Sequence, residues 1–234
     1  MKLEMKFWGF FEMNIKNVYK EIKKITYDLV RVGLADEYRE PILDDKTISW
    51  KGCTDISISM KNIPYKDIYE KINKDKNFNF KLPDGGMFQL LYAFDNGGVF
   101  KHRLAYFPAP DFEEFQNNPD IYNNDEIYGD IVNKQVMPVI VRVDYNRIEE
   151  ENSEIHHPYC HLTLGQYKNC RIPIEKPLSP NNFISFILDN FYYVPQSNFM
   201  DYELKDYVVH NPIHINEIDI DKIRLRIDNT NEDK

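Results

Sequence analysis

The residues best suited to chemistry lie in one short segment, IHHPYCHLTLGQYKNCRIPI, residues 155–174. This segment contains three of the chain's six histidines and two of its three cysteines. Both residue types bind metals, and histidine also transfers protons near neutral pH. The segment therefore admits three interpretations: a metal site, a catalytic centre without metal, or two ordinary strands of a packed sheet.

A zinc site is favoured by the residue types but not by their spacing. Zinc prefers nitrogen and sulfur donors in tetrahedral sets, and the candidate ligands are His156, His157, Cys160, His161 and Cys170. A structural zinc site usually contains two ligand pairs, each separated by two to four residues, and the second pair is missing here. We therefore predict no metal and no other cofactor.

Catalysis without metal would use the tetrapeptide HLTL that begins at His161. Alternation along a strand places His161 and Thr163 on one face and two leucines on the other. In the stretch VRVDY, Arg142 and Asp144 likewise share a face opposite the valines. If the two strands are neighbours, Asp144 can orient a histidine, with Thr163 and an arginine close by.

Such a set of residues suits the hydrolysis of phosphodiester bonds, because imidazole moves protons and guanidinium groups hold phosphate oxygens. We expect His161 to act as the acid or base, His157 to assist it, and Arg171 and Arg142 to bind phosphate. HLTL matches one half of the signature of two-histidine phosphoesterases, which repeat His–apolar–Thr/Ser–apolar twice. The second copy is absent, so a histidine-based nuclease or phosphodiesterase is one hypothesis among several.

The structural interpretation needs no chemistry at all. The histidines would cap strand ends beside Pro158, and Cys160 and Cys170 would be small buried hydrophobic residues. This alternative stays open on the sequence alone.

Composition limits the classes of function. The formal net charge of −9 argues against a protein whose whole surface binds nucleic acid through phosphates, although a local basic patch is compatible with it. Acidic residues cluster near 149–154 and 217–221, and such runs are solvated loops or docking surfaces for basic partners.

The chain is expected to work in the reduced cytoplasm, away from membranes. It contains no apolar run of about 20 residues, which a membrane-spanning helix needs. Its amino-terminal segment lacks the pattern of a secretory signal. An odd number of cysteines argues against a disulfide framework.

Three of the predicted helices are marked by apolar spacing or by residues at their start. Residues 11–33 carry apolar side chains at steps of three and four, with lysines on the other side. Residues 180–193 follow Ser179, a good N-cap, and begin with Pro180 at the first helical position. A shorter helix begins after Pro64.

The strand pattern is antiparallel. Short strands are predicted within residues 47–60, around Ile48, Trp50, Ile56 and Ile58. Three consecutive strands are predicted within 77–107, joined by PDGG and by a tight turn at Asn96-Gly97 that needs positive φ at its centre. Residues 138–147 form another strand, and HLTLG and NCRIPI form a second hairpin that turns over residues 166–169.

Together these elements predict one α+β domain covering residues 1–234. Its core is a curved, mostly antiparallel sheet, with the helices at 11–33 and 180–193 packed on it. Residues 108–137 form a long irregular connection with a short helix near 111–116, and the tail after about residue 200 has strand-like stretches and frays.

The order of several segments resembles a bacterial family known as domain of unknown function 2290. These segments are LPDGGMFQLLYAF, HRLAYFPAP, VRVDY, HHPYCHLTLGQYKNCRIP and PLSPNNFISFILDNFY, within residues 77–193. The most specific part is HHPYCHLTLG followed by CRIP, where His156, His157, His161, Arg171 and Pro173 stand at the family's histidine–arginine–proline segment.

The resemblance implies a bacterial anti-phage defence component. Some members of the family are encoded beside a helicase, so the implied partner is a nearby helicase-type protein and, through it, nucleic acid. The resemblance brings no established catalytic residues.

Overall fold

In the computed structural model, which describes residues 14–57, 62–110, 139–147, 158–167, 170–174 and 176–192, a nine-stranded sheet carries three helices. The helices are α1 (Ile15–Arg31), α2 (Tyr65–Lys74) and α3 (Pro180–Phe191). The strands are β1 (Glu37–Tyr38), β2 (Pro41–Asp44), β3 (Thr47–Trp50), β4 (Phe80–Lys81), β5 (Met87–Asp95), β6 (Gly98–Phe107), β7 (Val141–Asn146), β8 (Cys160–Leu164) and β9 (Ile172–Pro173). Every pairing among these strands is antiparallel. The predicted α+β class is confirmed.

The strands lie in the order β1-β4-β5-β6-β7-β8-β9, with β3 also paired to β5 and β2 paired to β3. The two longest strands, β5 and β6, form the central hairpin, and β7 and β8 extend the sheet on the β6 side. The polar residues predicted on 138–147 and on HLTL therefore lie on adjacent strands.

One face of the sheet packs against α1 and α3 and forms the main core. Phe88 of β5 lies at its centre, with its ring centroid 4.8 Å from that of Phe80 and 5.0 Å from that of Tyr106. The ring of Phe183, from α3, contacts Phe88 edge-on at 6.2 Å. The aromatic residues of the sequence thus fill the space between sheet and helices.

Helix α1 begins and ends as its sequence indicates. Asn14 is the N-cap, and its side chain accepts a hydrogen bond from the backbone N–H of Lys16 at 2.8 Å. The buried side of the helix carries the periodic apolar residues Val18, Ile22, Ile25 and Leu29. After the last turn, Gly33 adopts a left-handed conformation with φ of 76°.

The start of α3 is held by side chains from the sheet and from α1. His102 Nε2 accepts the backbone N–H of Leu178 at 3.2 Å, and the Tyr92 hydroxyl donates to the carbonyl of the same residue at 2.9 Å. Ser179 caps the helix, and Glu21 of α1 accepts the N–H of Asn181 at 2.8 Å. Both β5 and β6 therefore help to position α3.

The other face of the sheet is only partly apolar. Helix α2 packs over one end of it, where Ile68 and Ile72 join Met87, Phe107 and Ile140 in a second cluster. Further along β6, β7 and β8 the residues on this face are polar. That polar stretch contains most of the predicted site.

Two local predictions differ from the structure. The turn at 95–98 forms, but its left-handed residue is Gly98, with φ of 96°, rather than a residue at the turn's centre. A left-handed glycine directly after a turn is typical of hairpins with a bulge. Ile56 lies in a short helical turn and not in a strand, because the chain reverses at Gly52, which has φ of 86°.

Several predictions fall outside the described residues: Ile58, the helix near 111–116, most of the connection 108–137, and the tail after about residue 200. The single-domain organisation of residues 1–234 stays a prediction. Within the described part of the chain, no helix has the length and apolar character needed to cross a membrane.

The PDGG turn yields a stability prediction, because its second glycine is packed tightly. A Cβ on Gly86 would lie 2.9 Å from Cε2 of Tyr106 and 2.9 Å from the hydroxyl of Tyr192. These two tyrosines are buried and joined through their hydroxyls at 2.5 Å, so they cannot move apart freely. Gly86→Ala should lower the free energy of unfolding by about 1–3 kcal/mol, as overpacking does.

Urea unfolding of Gly86→Ala beside Gly97→Ala measures this effect. A Cβ on Gly97 would meet the guanidinium end of Arg147 and, at 3.4 Å, the carboxylate of Asp95, and both of these exposed side chains can move aside. Equal stability of the two variants would show that the tyrosine pair does not confine Gly86.

Candidate functional site: an arginine–histidine cluster on the sheet

Strands β7 and β8 bring four of the six predicted site residues onto one face. Asp144 lies directly opposite His161, and Arg142 lies directly opposite Thr163. The alternate residues of both strands, Val143 and Leu162 among them, point into the main core. The strand neighbourhood expected for Asp144 and His161 is therefore present.

Strand β6 adds a fifth residue that sequence reasoning missed. Arg103 lies opposite Asp144 on the other side of β7. Its Nε donates to Asp144 Oδ1 at 2.7 Å, while Arg142 Nε donates to Asp144 Oδ2 at 2.6 Å. We call Arg103, Arg142, Asp144, His161 and Thr163 the arginine–histidine cluster.

The signal for Arg103 was in the sequence. In HRLAYF, His102, Leu104 and Tyr106 alternate with Arg103, and the first three point into the core. The same alternation that placed Arg142 and Asp144 on the polar face also places Arg103 there. The link between Arg103 and Asp144 further requires knowing which strand pairs with residues 138–147, and the sequence does not state this.

The cluster is recessed. The side chains of Arg103, Arg142 and Asp144 are 14%, 15% and 17% exposed, and His161 and Thr163 are buried. Burial alone would raise the pKa of Asp144, but the charges of Arg103 and Arg142 outweigh it and hold the pKa below its usual value. Asp144 is therefore ionised at neutral pH.

The orientation of His161 is set by the backbone. Its Nδ1 lies 3.0 Å from the carbonyl oxygen of Pro158, which can only accept a hydrogen bond. Nδ1 therefore carries a proton and donates it to Pro158. Both oxygens of Asp144 receive guanidinium donors, and the attraction between His161 and Asp144 is electrostatic.

Two groups of the cluster keep hydrogen-bonding capacity for a ligand. Arg142 forms its ion pair with Asp144 through Nε. Within the described part of the chain no acceptor binds the Nη1–Nη2 edge of its guanidinium, so that edge can bind a ligand. The Thr163 hydroxyl is buried and has no hydrogen-bond partner among the described residues. A buried hydroxyl without a protein partner is costly in a folded protein, so a water or a ligand bound there would stabilise it.

The other two predicted site residues are Arg171 and His157. Arg171 is exposed and directly precedes β9, whose Pro173 lies opposite His161. His157 and His156 fall outside the described residues. The roles assigned to His161, His157, Asp144, Thr163, Arg171 and Arg142 stay predictions.

The cysteines belong to the other side of the sheet or to its edge. Cys160 is buried in the main core, where burial raises the pKa of its thiol to about 12. Cys170 accepts the backbone N–H of Leu164 at 3.4 Å through its sulfur. In the residues covered by the structure, no three His, Cys, Asp or Glu side chains are grouped to hold a metal ion.

The fold and the cluster define an α+β protein with a charged, recessed centre on one face of its sheet. The model of one family, described as uncharacterized conserved protein (DUF2290), matches residues 34–227. The chain belongs to this family, and the match includes every strand and the whole cluster. The family resemblance noted in the sequence is confirmed. Neither the curated proteins nor the solved structures give a match to this chain.

Proposed function

We propose that this protein is a cytoplasmic component of a bacterial anti-phage system, that it acts with a helicase-type partner, and that it binds nucleic acid through the arginine–histidine cluster. The defence role and the partner are what the resemblance noted in the sequence implies, since some members of the family are encoded beside a helicase. The nucleic-acid role is supported by the chemistry of the cluster.

One observation carries the nucleic-acid role: two recessed guanidinium groups share a single carboxylate. Arg103 and Arg142 each bind one oxygen of Asp144, and Arg142 does so through Nε alone. The Nη1–Nη2 edge of Arg142 therefore keeps two N–H donors that no described residue uses. Arginine forks suit phosphate oxygens, so a phosphate would fit this edge.

Protein contacts are supported by exposed apolar side chains near β2, at the side of the sheet away from β9. Tyr27 of α1, Tyr38 of β1, and Ile42 and Leu43 of β2 are large hydrophobic residues that are exposed. β2 pairs only with β3, so it lies at an edge of the sheet within the described residues. Exposed apolar groups beside a sheet edge are typical of protein interaction sites.

A second candidate function is a phosphodiesterase or nuclease that uses His161 as general acid or base. The observation in its favour is the placement of His161 and Thr163 beside Arg142 on the same face. In this scheme the arginines hold the phosphate and His161 moves the proton. Both oxygens of the Asp144 carboxylate bind arginines rather than His161. This arrangement favours phosphate binding over catalysis as the main proposal.

Phage protection separates the two proposals. In cells that express this protein with the proposed helicase-type partner, Arg142→Gln should lower protection by about tenfold or more, because a charged hydrogen bond to phosphate is lost. If the protein binds nucleic acid without catalysis, His161→Asn should lower protection no more than Arg142→Gln does. If His161 is the general acid or base, His161→Asn should instead reduce the activity by about 100-fold or more.

Arg147→Gln is the matched control, because it removes a positive charge immediately after the same strand but outside the cluster, where Arg147 pairs with the exposed Asp95. Co-purification with the helicase should be unchanged in all three variants. Full protection by Arg142→Gln, with the partner still bound, would contradict the role of the cluster. Failure of the wild-type protein to bind the helicase would contradict the partner.

A further inference from the structure

We propose that the nucleic acid bound at the arginine–histidine cluster is a single strand, which runs over the polar face of the sheet from Arg142 towards Lys101 and stacks a base on Tyr159. This inference rests on the proposed function in taking nucleic acid as the ligand. It adds the form of the nucleic acid and two contact residues outside the cluster.

The polar face of the sheet continues beyond the cluster for one more row of residues. Lys101 stands two residues before Arg103 on β6 and lies opposite Asn146 of β7. Asn146 donates its backbone N–H at 2.9 Å to the carbonyl of Tyr159, the residue immediately before β8 and two residues before His161. Side chains two residues apart along a strand share a face, so these three residues lie on the face of the cluster. We call Lys101, Asn146 and Tyr159 the outer row.

Two members of the outer row are exposed and suit a single strand. Tyr159 is 40% exposed. Lys101 is exposed and forms no ion pair with a described residue. Exposed aromatic rings beside cationic groups bind single strands, because an unpaired base can lay its flat face on a ring. In a duplex the faces of the bases are covered by their stacked neighbours, so a ring on the protein surface cannot reach them.

The guanidinium of Arg142 lies on the side of the cluster that faces the outer row. Its Nε donates to Asp144, which is two residues further along β7 in the direction of Asn146. Asp144 and Asn146 are in turn about 7 Å apart, since a strand rises about 3.3 Å per residue. Neighbouring nucleotides of one strand bridge this distance. A strand whose phosphate binds the Nη edge of Arg142 therefore places its next groups at the outer row.

The recessed position of the phosphate donors also favours a single strand. The side chain of Arg142 is 15% exposed, and the buried Thr163 hydroxyl has no hydrogen-bond partner among the described residues. A phosphate must enter the recess to reach both groups. A single strand is flexible enough to bend one phosphate inwards, whereas a duplex is stiff over about 150 base pairs.

Fluorescence anisotropy of labelled oligonucleotides with the purified full-length protein tests this inference. The probes are DNA and RNA strands of about 12 nucleotides, each alone and annealed to its complement. At least one single strand should bind about tenfold tighter than its duplex. Tyr159→Leu should weaken binding of that strand about fivefold or more, whereas Tyr159→Phe should retain it, because only the ring is needed for stacking. Lys101→Gln should lower the slope of log affinity against log salt concentration by about 0.7, the value for one phosphate contact on a single strand.

Tyr27→Leu and Lys20→Gln are the matched controls. Tyr27 is also 40% exposed, and Lys20 is an exposed lysine, but both belong to α1, which packs against the opposite face of the sheet. Both variants should bind the single strand as the wild type does. Urea unfolding of each variant checks that its fold is retained.

The outcomes separate this inference from the proposed function. Duplex binding as tight as single-strand binding, with both reduced by Arg142→Gln, would overturn the single strand as ligand and leave nucleic-acid binding by the cluster in place. Wild-type affinity of Tyr159→Leu for the single strand, or an equal loss in Tyr27→Leu, would overturn stacking at the outer row. Absence of binding to every probe would contradict the proposed nucleic-acid role, and this inference with it.

Discussion

Asp144→Asn should lower the free energy of unfolding by about 3 kcal/mol or more, because it leaves two recessed guanidinium groups without their shared counter-charge. In the wild-type protein each oxygen of Asp144 accepts a hydrogen bond from one arginine, at 2.7 and 2.6 Å. An asparagine can accept from only one of them, and its amide group would face the other. Urea unfolding measures the loss.

Asp95→Asn is the matched control for this prediction. Asp95 also pairs with an arginine, Arg147, but both side chains of that pair are exposed, and exposed pairs contribute little to stability. The Asp95 variant should therefore unfold close to the wild type. If Asp144→Asn were no less stable than Asp95→Asn, burial of Arg103 and Arg142 would not require the charge of Asp144.

The difference in unfolding free energy between the wild type and Asp144→Asn depends on pH. The pKa of Asp144 is lower in the folded protein than in the unfolded chain, since Arg103 and Arg142 together outweigh the effect of burial. Its contribution to stability is therefore fully present above the unfolded pKa of about 3.9 and is lost as the pH falls through the folded pKa. The difference between wild type and Asp144→Asn should shrink below about pH 4.

His102 should make the protein sensitive to mild acid. It lies fully buried between Tyr92 and Tyr145, and desolvation lowers its pKa from 6.5 to about 4. Below pH 6.5 the unfolded chain takes up a proton that the folded protein excludes, so stability falls as the pH drops towards 4. The expected loss is about 3 kcal/mol over this range, since each pKa unit corresponds to about 1.4 kcal/mol.

His102→Gln isolates this effect, because glutamine does not titrate and retains an acceptor for the N–H of Leu178. Unfolding free energies of both proteins at pH 7 and pH 4.5 give the comparison. The wild type should lose about 2–3 kcal/mol more than the variant between these two pH values. Equal losses would show that His102 is protonated in the folded protein and that its burial does not control acid sensitivity.

Much of the fold could be predicted from the sequence, because its signals are local. Apolar spacing gave α1 and α3, and the alternation in VRVDY and HLTL separated core residues from polar ones. The order of short apolar runs and turns was enough to predict antiparallel pairing. Ile56 was placed wrongly because alternation over so few residues also occurs in irregular segments, and Gly52 reverses the chain before it.

The site could be predicted only in part, because a sequence does not state which strands are neighbours. Asp144 and His161 face each other as the hypothesis required, yet the carboxylate binds Arg103 and Arg142. Arg103 was missed because its role depends on the register between β6 and β7, which are separated by a long stretch of chain. His102 positions the start of α3, a role that depends on the packing of α3 against β6 and that no sequence motif indicates.

Titration of the full-length protein with a 5′-phosphorylated dinucleotide, followed by amide NMR spectra, measures whether the arginine–histidine cluster binds phosphate. The largest shifts should lie at Arg103, Arg142, His161 and Thr163, and they should disappear in Arg142→Gln but persist in Arg147→Gln. Shifts that centre on another surface, or that persist unchanged in Arg142→Gln, would show that the cluster does not bind phosphate.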